Sequence, residues 1–584
     1  MKFWKLDPNI WLILAFSIFA WAPLLTPAYF FNAHDAKHSI FFLVEFDQTF
    51  RDGYLWPRWS PDFSFGYGYP LFNLYAPLAF YSAELLHLLG LSFTNAIKTM
   101  YILATIGAGL SMYGFSQRLF GRDAGLLAAI VYLYAPFHLV EIFVRSAYAE
   151  FVALALIPLL FWAFAQLIAQ PTLRQMAISA LIYGLLTLTH HTTFFVFTPL
   201  LMLYILYLII VKLRLNLQKL ITHTLYAVGA GVLGLSLAAI YLVPVVTETQ
   251  FIKVDQWTSG SYSYLQHFVY VSQLFSAEWG YGYAGIGLFD DFSYQLGILS
   301  LTLLAFVLIA LVQHRFRHYG TVLFFLGATF VILFLILPVA EPIWRLAGFA
   351  TWAQLIQFPW RLLGMTTFTI AIVTGALLAQ TVPRDQSDHS NIQVSTSPAL
   401  YVFALVIILA SFSYTTPQYT DIPAWAETPL AVLNWDRGSI KDRVGMVSVT
   451  EEQPQTSPLV VEYETYGRPL TVATLLTGQG EIETLHHGGS SDKVRVQLSE
   501  PATVQFYTYD YPGWRVTLND QPVAHRHEPP FGLITIDVPA GEHIIHLQMG
   551  TTPSRTIGTI LSGLSLLIAI SMMIKPSKPV IEKT

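Results

Sequence analysis

Residues 71–90 read LFNLYAPLAFYSAELLHLLG, and the topology of the chain turns on whether they cross a membrane. The run is as long as the roughly 20 apolar residues that a bilayer-spanning helix needs. If it spans, the Arg and Lys residues after position 117 lie outside. If it does not, every later basic cluster falls on the side of Lys2 and Lys5. These clusters are Arg118 and Arg122, Arg174, Lys212 with Arg214 and Lys219, Arg315 with Arg317, Arg384, and Lys575 with Lys578. Cytoplasmic links carry the excess of Lys and Arg, which selects the second case. Residues 71–90 are therefore expected in or on the outer interface, where Glu84 and His87 fit better than at the bilayer centre.

Outward from that run, the 584-residue chain is 54% hydrophobic and only 11% charged, with a mean hydropathy of +0.53, values far from those of soluble domains. Further apolar runs fall at 10–30, 97–117, 124–140, 150–169, 175–189, 193–211, 222–246, 292–312, 319–339, 360–380, 399–414 and 555–574. The expectation is a mainly α, multi-pass plasma-membrane protein with about 12 spans, both ends cytoplasmic. The first run follows Lys2 and Lys5 like a signal sequence, but no small-residue cleavage site follows Phe30, so it reads as an uncleaved span. With no cysteine, disulfides, thiolate metal sites and cysteine nucleophiles are excluded. The net charge of −5 gives no reason to expect nucleic acid as a partner.

This topology puts 31–95, the link around Glu141, Arg145 and Glu150, the His190–His191 pair, 247–291, 340–359 and 416–553 on the outer face. Chemistry is expected there. The expected domains are a multi-span region, 1–415, with 31–95 as its first outer loop, an extracytoplasmic β-sandwich, 416–553, and a final span with its tail, 554–584. The β reading rests on alternating segments such as DKVRVQLSE, ATVQFYTYD, GWRVTLND, GLITIDVPA and HIIHLQMG, with turns at Asn519–Asp520 and Ala540–Gly541. Residues 381–398 read as a polar cytoplasmic linker.

The segment before the deciding run, 31–70, is FNAHDAKHSIFFLVEFDQTFRDGYLWPRWSPDFSFGYGYP. Its density of polar residues at the mouth of a membrane helix suggests a site, since such residues are costly near lipid. Asp35, just beyond the first span, is placed to act as a general base, or else as a helix-end carboxylate paired with Lys37 or a backbone amide. The aromatic stretch with Tyr67 and Tyr69 offers flat faces for sugar rings, or packs as an interfacial loop. Arg58 has the fork geometry for phosphate. Arg145 and Glu150 either pair with each other or supply a cation and a second carboxylate. His190 and His191 point apart on a helix and make no metal site by themselves. In Gln357–Arg361, QFPWR, Pro359 opens a helix and Arg361 lies in its first turn, an electropositive end suited to an anion. Loop 247–291 carries Glu248, Asp255, Glu278, Asp290 and Asp291 in an aromatic setting and reads as a lid. There is no phosphate-binding glycine loop, dinucleotide fingerprint or HExxH.

Taken in order, His34–Asp35 and His38, PRWSPDFSFGYGYPLFNLY, Arg145 to Glu150, His190–His191 and QFPWR resemble the membrane family labelled 6-pyruvoyl-tetrahydropterin-synthase-related. No pterin chemistry follows from that label. YPGWRVTLNDQPV and GLITIDVPAGEH resemble the outer β-domain of bacterial membrane proteins implicated in glycosylating cell-wall polymers. The wider architecture is similar to the C structural class of glycosyltransferases (GT-C). That resemblance implies a catalytic carboxylate early in the first outer loop, matched by Asp35, and a second acid where Glu150 stands, although many members have aspartate there. It implies His34, His38, Arg58, Tyr67, Tyr69, Arg145, His190, His191, Gln357 and Arg361 as substrate-binding residues. The implied partners are a polyprenyl-phosphate sugar, membrane lipid and a glycan or cell-wall polymer acceptor. No cofactor is required, and a divalent metal is allowed. The expected activity is inverting glycosyl transfer. The rivals are a transporter or flippase of lipid-linked saccharide and a non-catalytic envelope assembly protein.

Overall fold

The computed structural model describes residues 7–213, 217–288, 291–379, 398–423, 425–438 and 446–574. The linker 381–398 lies outside these residues save its last position, as do Lys2, Lys5, Arg214, Asp290, Arg384, Lys575 and Lys578. Each of the expected spanning runs carries a helix. Among the described residues six helices are long and apolar enough to cross a membrane: Pro8–Leu25, Tyr148–Ala169, His191–Val211, Leu217–Leu237, Pro359–Leu378 and Pro553–Ile574. The count rises to 8 if two bent pairs each make one span. These are Arg122–Tyr134 with Pro136–Phe143, bent by 43°, and Tyr319–Leu335 with Pro338–Trp344, bent by 86°. Leu173–Thr189, Ile298–Val312 and Leu400–Thr415 are apolar but short, and Phe93–Phe120, the long helix of 28 residues, contains Lys98 and Arg118.

The deciding run does not form a spanning helix. It breaks into Leu71–Leu74 and Leu78–Leu88, with Tyr75, Ala76 and Pro77 between them. Proline cannot continue a helix through its own N–H, and it biases the preceding residue away from the helical region. The 11 residues of the second piece rise only about 16 Å, half of a hydrocarbon core. Its Leu85, Leu88 and Leu89 are exposed while Glu84 is buried against the protein.

Strands begin at Ala473, not at 416. Residues 416–466 instead carry two short helices, Pro429–Gly438 and Pro458–Tyr466. Nine strands follow: β1 (Ala473–Thr477), β2 (Gly480–His487), β3 (Ser491–Leu498), β4 (Ala502–Tyr509), β5 (Trp514–Leu518), β6 (Gln521–Val523), β7 (Arg526–Glu528), β8 (Leu533–Val538) and β9 (Gly541–Met549). They form two antiparallel sheets, ordered β1-β4-β8-β7 and β2-β3-β9-β5-β6. Val494 and Val496 of one sheet and Val504, Phe506, Ile534 and Ile536 of the other share one buried core, as period-2 alternation requires. Asn519 and Asp520 both take positive φ in the β5–β6 turn, the left-handed pair that tight hairpins favour.

The sheets are joined to the segment 31–70 by apolar and polar contacts. Trp59 meets Trp514 edge-on at 5.2 Å between ring centroids. Asp52 accepts hydrogen bonds from the Ser490 amide at 2.9 Å and from the Ser491 hydroxyl, and lies 3.0 Å from His486. Gly488 and Gly489 let this turn close on Asp52 and Thr49, since a Cβ at either would overlap them.

Candidate active site

One helix, Ala36–Arg51, sets the geometry. Asp35 stands at its N-cap position, but its side chain makes no capping bond, so the carboxylate is free to face outward. Behind it runs the turn Val144–Arg145–Ser146. The His34 amide donates to the Val144 carbonyl at 3.2 Å, and the Asp35 amide donates to the Arg145 carbonyl at 2.6 Å. Ser146 has a φ of 53°, outside ordinary L-residue space. Its hydroxyl is held by Tyr29 at 2.9 Å and Tyr101 at 3.2 Å, buried contacts that fix the turn.

The result is a cavity of about 310 Å³. It collects Asp35, His38, Tyr69, Arg145, Glu150, His190, His191, Gln357 and Arg361 from segments far apart in sequence. Arg145 is central and almost fully buried. Its guanidinium lies 2.5 Å from Glu141, 2.9 Å from Glu150 and 3.9 Å from Asp35. It also sits 4.7 Å from the centre of the Trp360 ring, a cation–π contact. Arg361 approaches Glu150 at 3.8 Å through Nε, and donates to the Ile356 carbonyl at 3.0 Å and Gln357 Oε1 at 3.1 Å. Asp35 keeps 42% of its side-chain surface exposed, against 4% for Arg145 and 9% for Glu150. The carboxylate open to a ligand is therefore Asp35. It pairs with Arg145 and, at 3.7 Å, with His38, not with Lys37, which lies over the Phe31 ring.

His190 Nδ1 is 2.8 Å from the Thr193 hydroxyl, and burial holds this histidine well below its ordinary pKa, hence neutral. Gln357 adopts a positive φ of 63° and donates to the Trp257 carbonyl at 3.0 Å. That bond brings loop 247–291 onto the cavity, where Trp257 and Tyr262 form part of the wall.

Three expected binding residues lie elsewhere. His34 points away, with Nε2 2.8 Å from the Gly282 carbonyl and its ring stacked on Tyr283, and burial lowers its pKa. Arg58 donates to Asn73 at 2.8 Å and to the Ile240 carbonyl at 3.2 Å. It belongs to a buried network with Glu248 and Arg555, and burial, with Arg555 close by, lowers its pKa to about 10. Tyr67 packs on Tyr509 and Phe531 of the sheets. A compact apolar joint needs large aromatics as much as a sugar platform does, and here the joint took them. Among the acids of loop 247–291, Glu248 is committed to Arg555 at 2.8 Å. The sequence reading missed Tyr75, Trp257 and Tyr262 as wall residues. Tyr75 had a signal, since it precedes Pro77 in the irregular stretch, whereas nothing set the other two apart from the loop's other aromatics. Among the described residues no group of three His, Cys, Asp or Glu side chains comes together to hold a metal ion.

A multi-helix membrane region with short, polar helix ends gathered round one enclosed charged cavity, followed by two antiparallel sheets, defines the class. Residues 72–422 match the family described as 6-pyruvoyl-tetrahydropterin synthase related domain, membrane protein, and the chain belongs to that family. An uncharacterized protein of Lactococcus lactis subsp. cremoris (strain MG1363) is 24% identical over 205 residues, 34% of this chain and 32% of the relative. The chain thus spans about a third of the length of that curated relative. Two solved structures overlap it in part. The oligosaccharyltransferase of Archaeoglobus fulgidus in the apo form matches at 12% identity and a TM-score of 0.34, over 80% of this chain and 60% of its own. ArnT from Cupriavidus metallidurans bound to undecaprenyl phosphate matches at 12% and 0.29, over 63% and 78%. At these scores neither match settles fold or activity.

Proposed function

We propose that this protein is a membrane glycosyltransferase that moves a sugar from a polyprenyl-phosphate donor to an envelope acceptor at the outer face of the plasma membrane. The observation that carries the reading is the placement of Asp35, a half-exposed carboxylate at a cavity that Arg145 and Arg361 also line. In this reading Asp35 takes the proton of the acceptor hydroxyl as that oxygen attacks the anomeric carbon. The bond from that carbon to the phosphate oxygen breaks on the opposite side, and the anomeric centre inverts. The electron pair leaves with the polyprenyl phosphate, and Arg361, backed by Arg145, stabilises its charge. Tyr75 and Trp257 offer rings to the sugar, with Tyr69 packed behind Trp257. The sheets stand beside the first loop, where a polymer acceptor would be held.

The test is transfer of labelled sugar from short-chain polyprenyl-phosphate donors by the purified full chain. Turnover supports the proposal. Absence of transfer, with donor crossing between leaflets of proteoliposomes, replaces it by transport. The facing is tested separately in this cysteine-free chain by Asp388→Cys, which an impermeant reagent should not label in intact cells; labelling there overturns the topology.

A further inference from the structure

Glu141 is buried on every side and is not among the residues that line the cavity at Asp35. One of its oxygens meets Arg145 at 2.5 Å, and the other has no hydrogen-bond partner. Such a group is costly to keep unless its charge is used. Its segment is also tied to the site through the backbone, since the Ala147 amide donates to the Glu141 carbonyl at 2.9 Å. The carboxyl groups of Asp35, Glu141 and Glu150 face the guanidinium groups of Arg145 and Arg361; burial opposes the charged form of Glu141, and Arg145 favours it. The other titratable groups coupled to them include His38 on the Asp35 helix, His34, His190 and His191, and Tyr75 and Tyr101.

We propose that Glu141 is a positioning residue that acts on Asp35 through Arg145: it holds the guanidinium by its inner edge and neutralises part of its charge, so that the carboxylate at position 35 is oriented without being silenced as a proton acceptor. A cation close to a carboxylate favours its charged form and weakens it as a base. Arg145 with Glu150 alone would present more of its charge to Asp35. With Glu141 behind it, the same arginine can be close to Asp35 and still compensated. The consequence rests on the glycosyl-transfer reading only in making Asp35 the base; the electrostatic coupling stands without it.

The test uses a thiol as the reporter. Asp35→Cys places a single cysteine at the site, and the pH dependence of its alkylation by a small neutral haloacetamide gives the pKa of that thiol in the folded full chain. Adding Glu141→Gln, which keeps the hydrogen bond to Arg145 and removes the charge, is expected to shift the alkylation profile to lower pH by about half a unit or more. An unchanged profile overturns the inference, and so does a shift to higher pH, which would mean that Arg145 had swung away. Should that double variant fail to fold, Glu141→Asp draws the charge back by one methylene and is expected to shift the profile in the same direction by less; no shift there overturns the inference equally. Absence of sugar transfer by the wild type would overturn the reading of the activity and leave this result untouched.

Discussion

The two halves of the segment 31–70 have opposite fates. The first is dense in charged side chains, and the second sets Arg58 and Asp62 among aromatic rings, glycines and prolines. The half around Asp35 opens on a cavity, with Arg145, Glu150 and Arg361 drawn in from other segments. The half around Trp59 to Tyr67 closes on the sheets, with Arg58, Asp62 and Trp59 all buried. Polar density at a membrane surface therefore marks a place where the chain must be organised, and organisation serves binding or docking alike. What separates the two is unfilled space and an incomplete set of partners. Asp35 has surface to spare, whereas Asp62 accepts from Gln48 at 2.5 Å and has its amide bonded to Glu45.

The largest effect should come from breaking the open half. Asp35→Asn keeps the shape and removes the basic carboxylate. Transfer should fall by about 10²-fold or more while donor affinity holds, because proton abstraction counts mainly in the transition state. Steady-state rates alongside donor binding on folded protein check this. Near-wild-type transfer would remove Asp35 as the base and make the two halves equivalent.

Next comes the closed half. Gly68 has a φ of 81°, and a Cβ there would overlap the Trp59 indole. Backbone strain and overpacking together put Gly68→Ala at a cost on the order of 2–4 kcal/mol of stability. The surviving folded protein should keep its donor Michaelis constant. A large rise in that constant, with unchanged thermal unfolding, would mean that the aromatic stretch is part of the binding surface after all.

Arg361→Ala sharpens the contrast inside the cavity. Arg145 is already shared among carboxylates, whereas Arg361 has only a long approach to Glu150. Loss of a charge-assisted contact to phosphate should weaken donor use by roughly tenfold, equivalent to about 1.4 kcal/mol. Full retention of donor affinity and turnover would make Arg361 a packing residue, held over Phe358.

The sequence made the helical character legible through its apolar runs, but not the break at Pro77 inside 71–90, a run that reads as one interfacial helix. It made Asp35, Arg145, Glu150 and Arg361 legible because charged residues are few and each sits at the end of an apolar run. It did not make the wall of Trp257 and Tyr262 legible, because their loop has no periodicity and is held by contacts far apart in sequence, such as Gln357 with Trp257 and His34 with Gly282. Nor did it separate Tyr69, which lines the cavity, from Tyr67 two residues earlier, which docks on Tyr509. In extended chain those two side chains lie on the same face; the positive φ values of Gly66 and Gly68 turn the backbone and part them. The start of the β region was misread because 416–472 is polar and turn-rich without alternating, which a boundary drawn on composition alone cannot see.

The smallest expected effect concerns the docking turn and its pH dependence. His487 lies 2.6 Å from Asp492. Burial opposes its protonation, but the Asp492 charge and hydrogen bond outweigh that, aided by Asp62 and Asp52, and its pKa is raised above the ordinary histidine value. A raised folded pKa means that the charged histidine stabilises the folded state fully at pH below its unfolded value of about 6.5. That contribution is lost as pH rises through the folded value. His487→Gln should therefore lower stability most at mildly acidic pH, by an amount on the order of 1 kcal/mol, and the gap to wild type should narrow as pH rises through the folded value. Thermal unfolding of both proteins across that range in the same detergent checks it. Sugar transfer, set by the other half of the loop, should not follow the same titration. A gap that stays constant with pH would make His487 a neutral hydrogen-bond partner, and a transfer rate that tracks it would mean that docking and catalysis are one unit and not two.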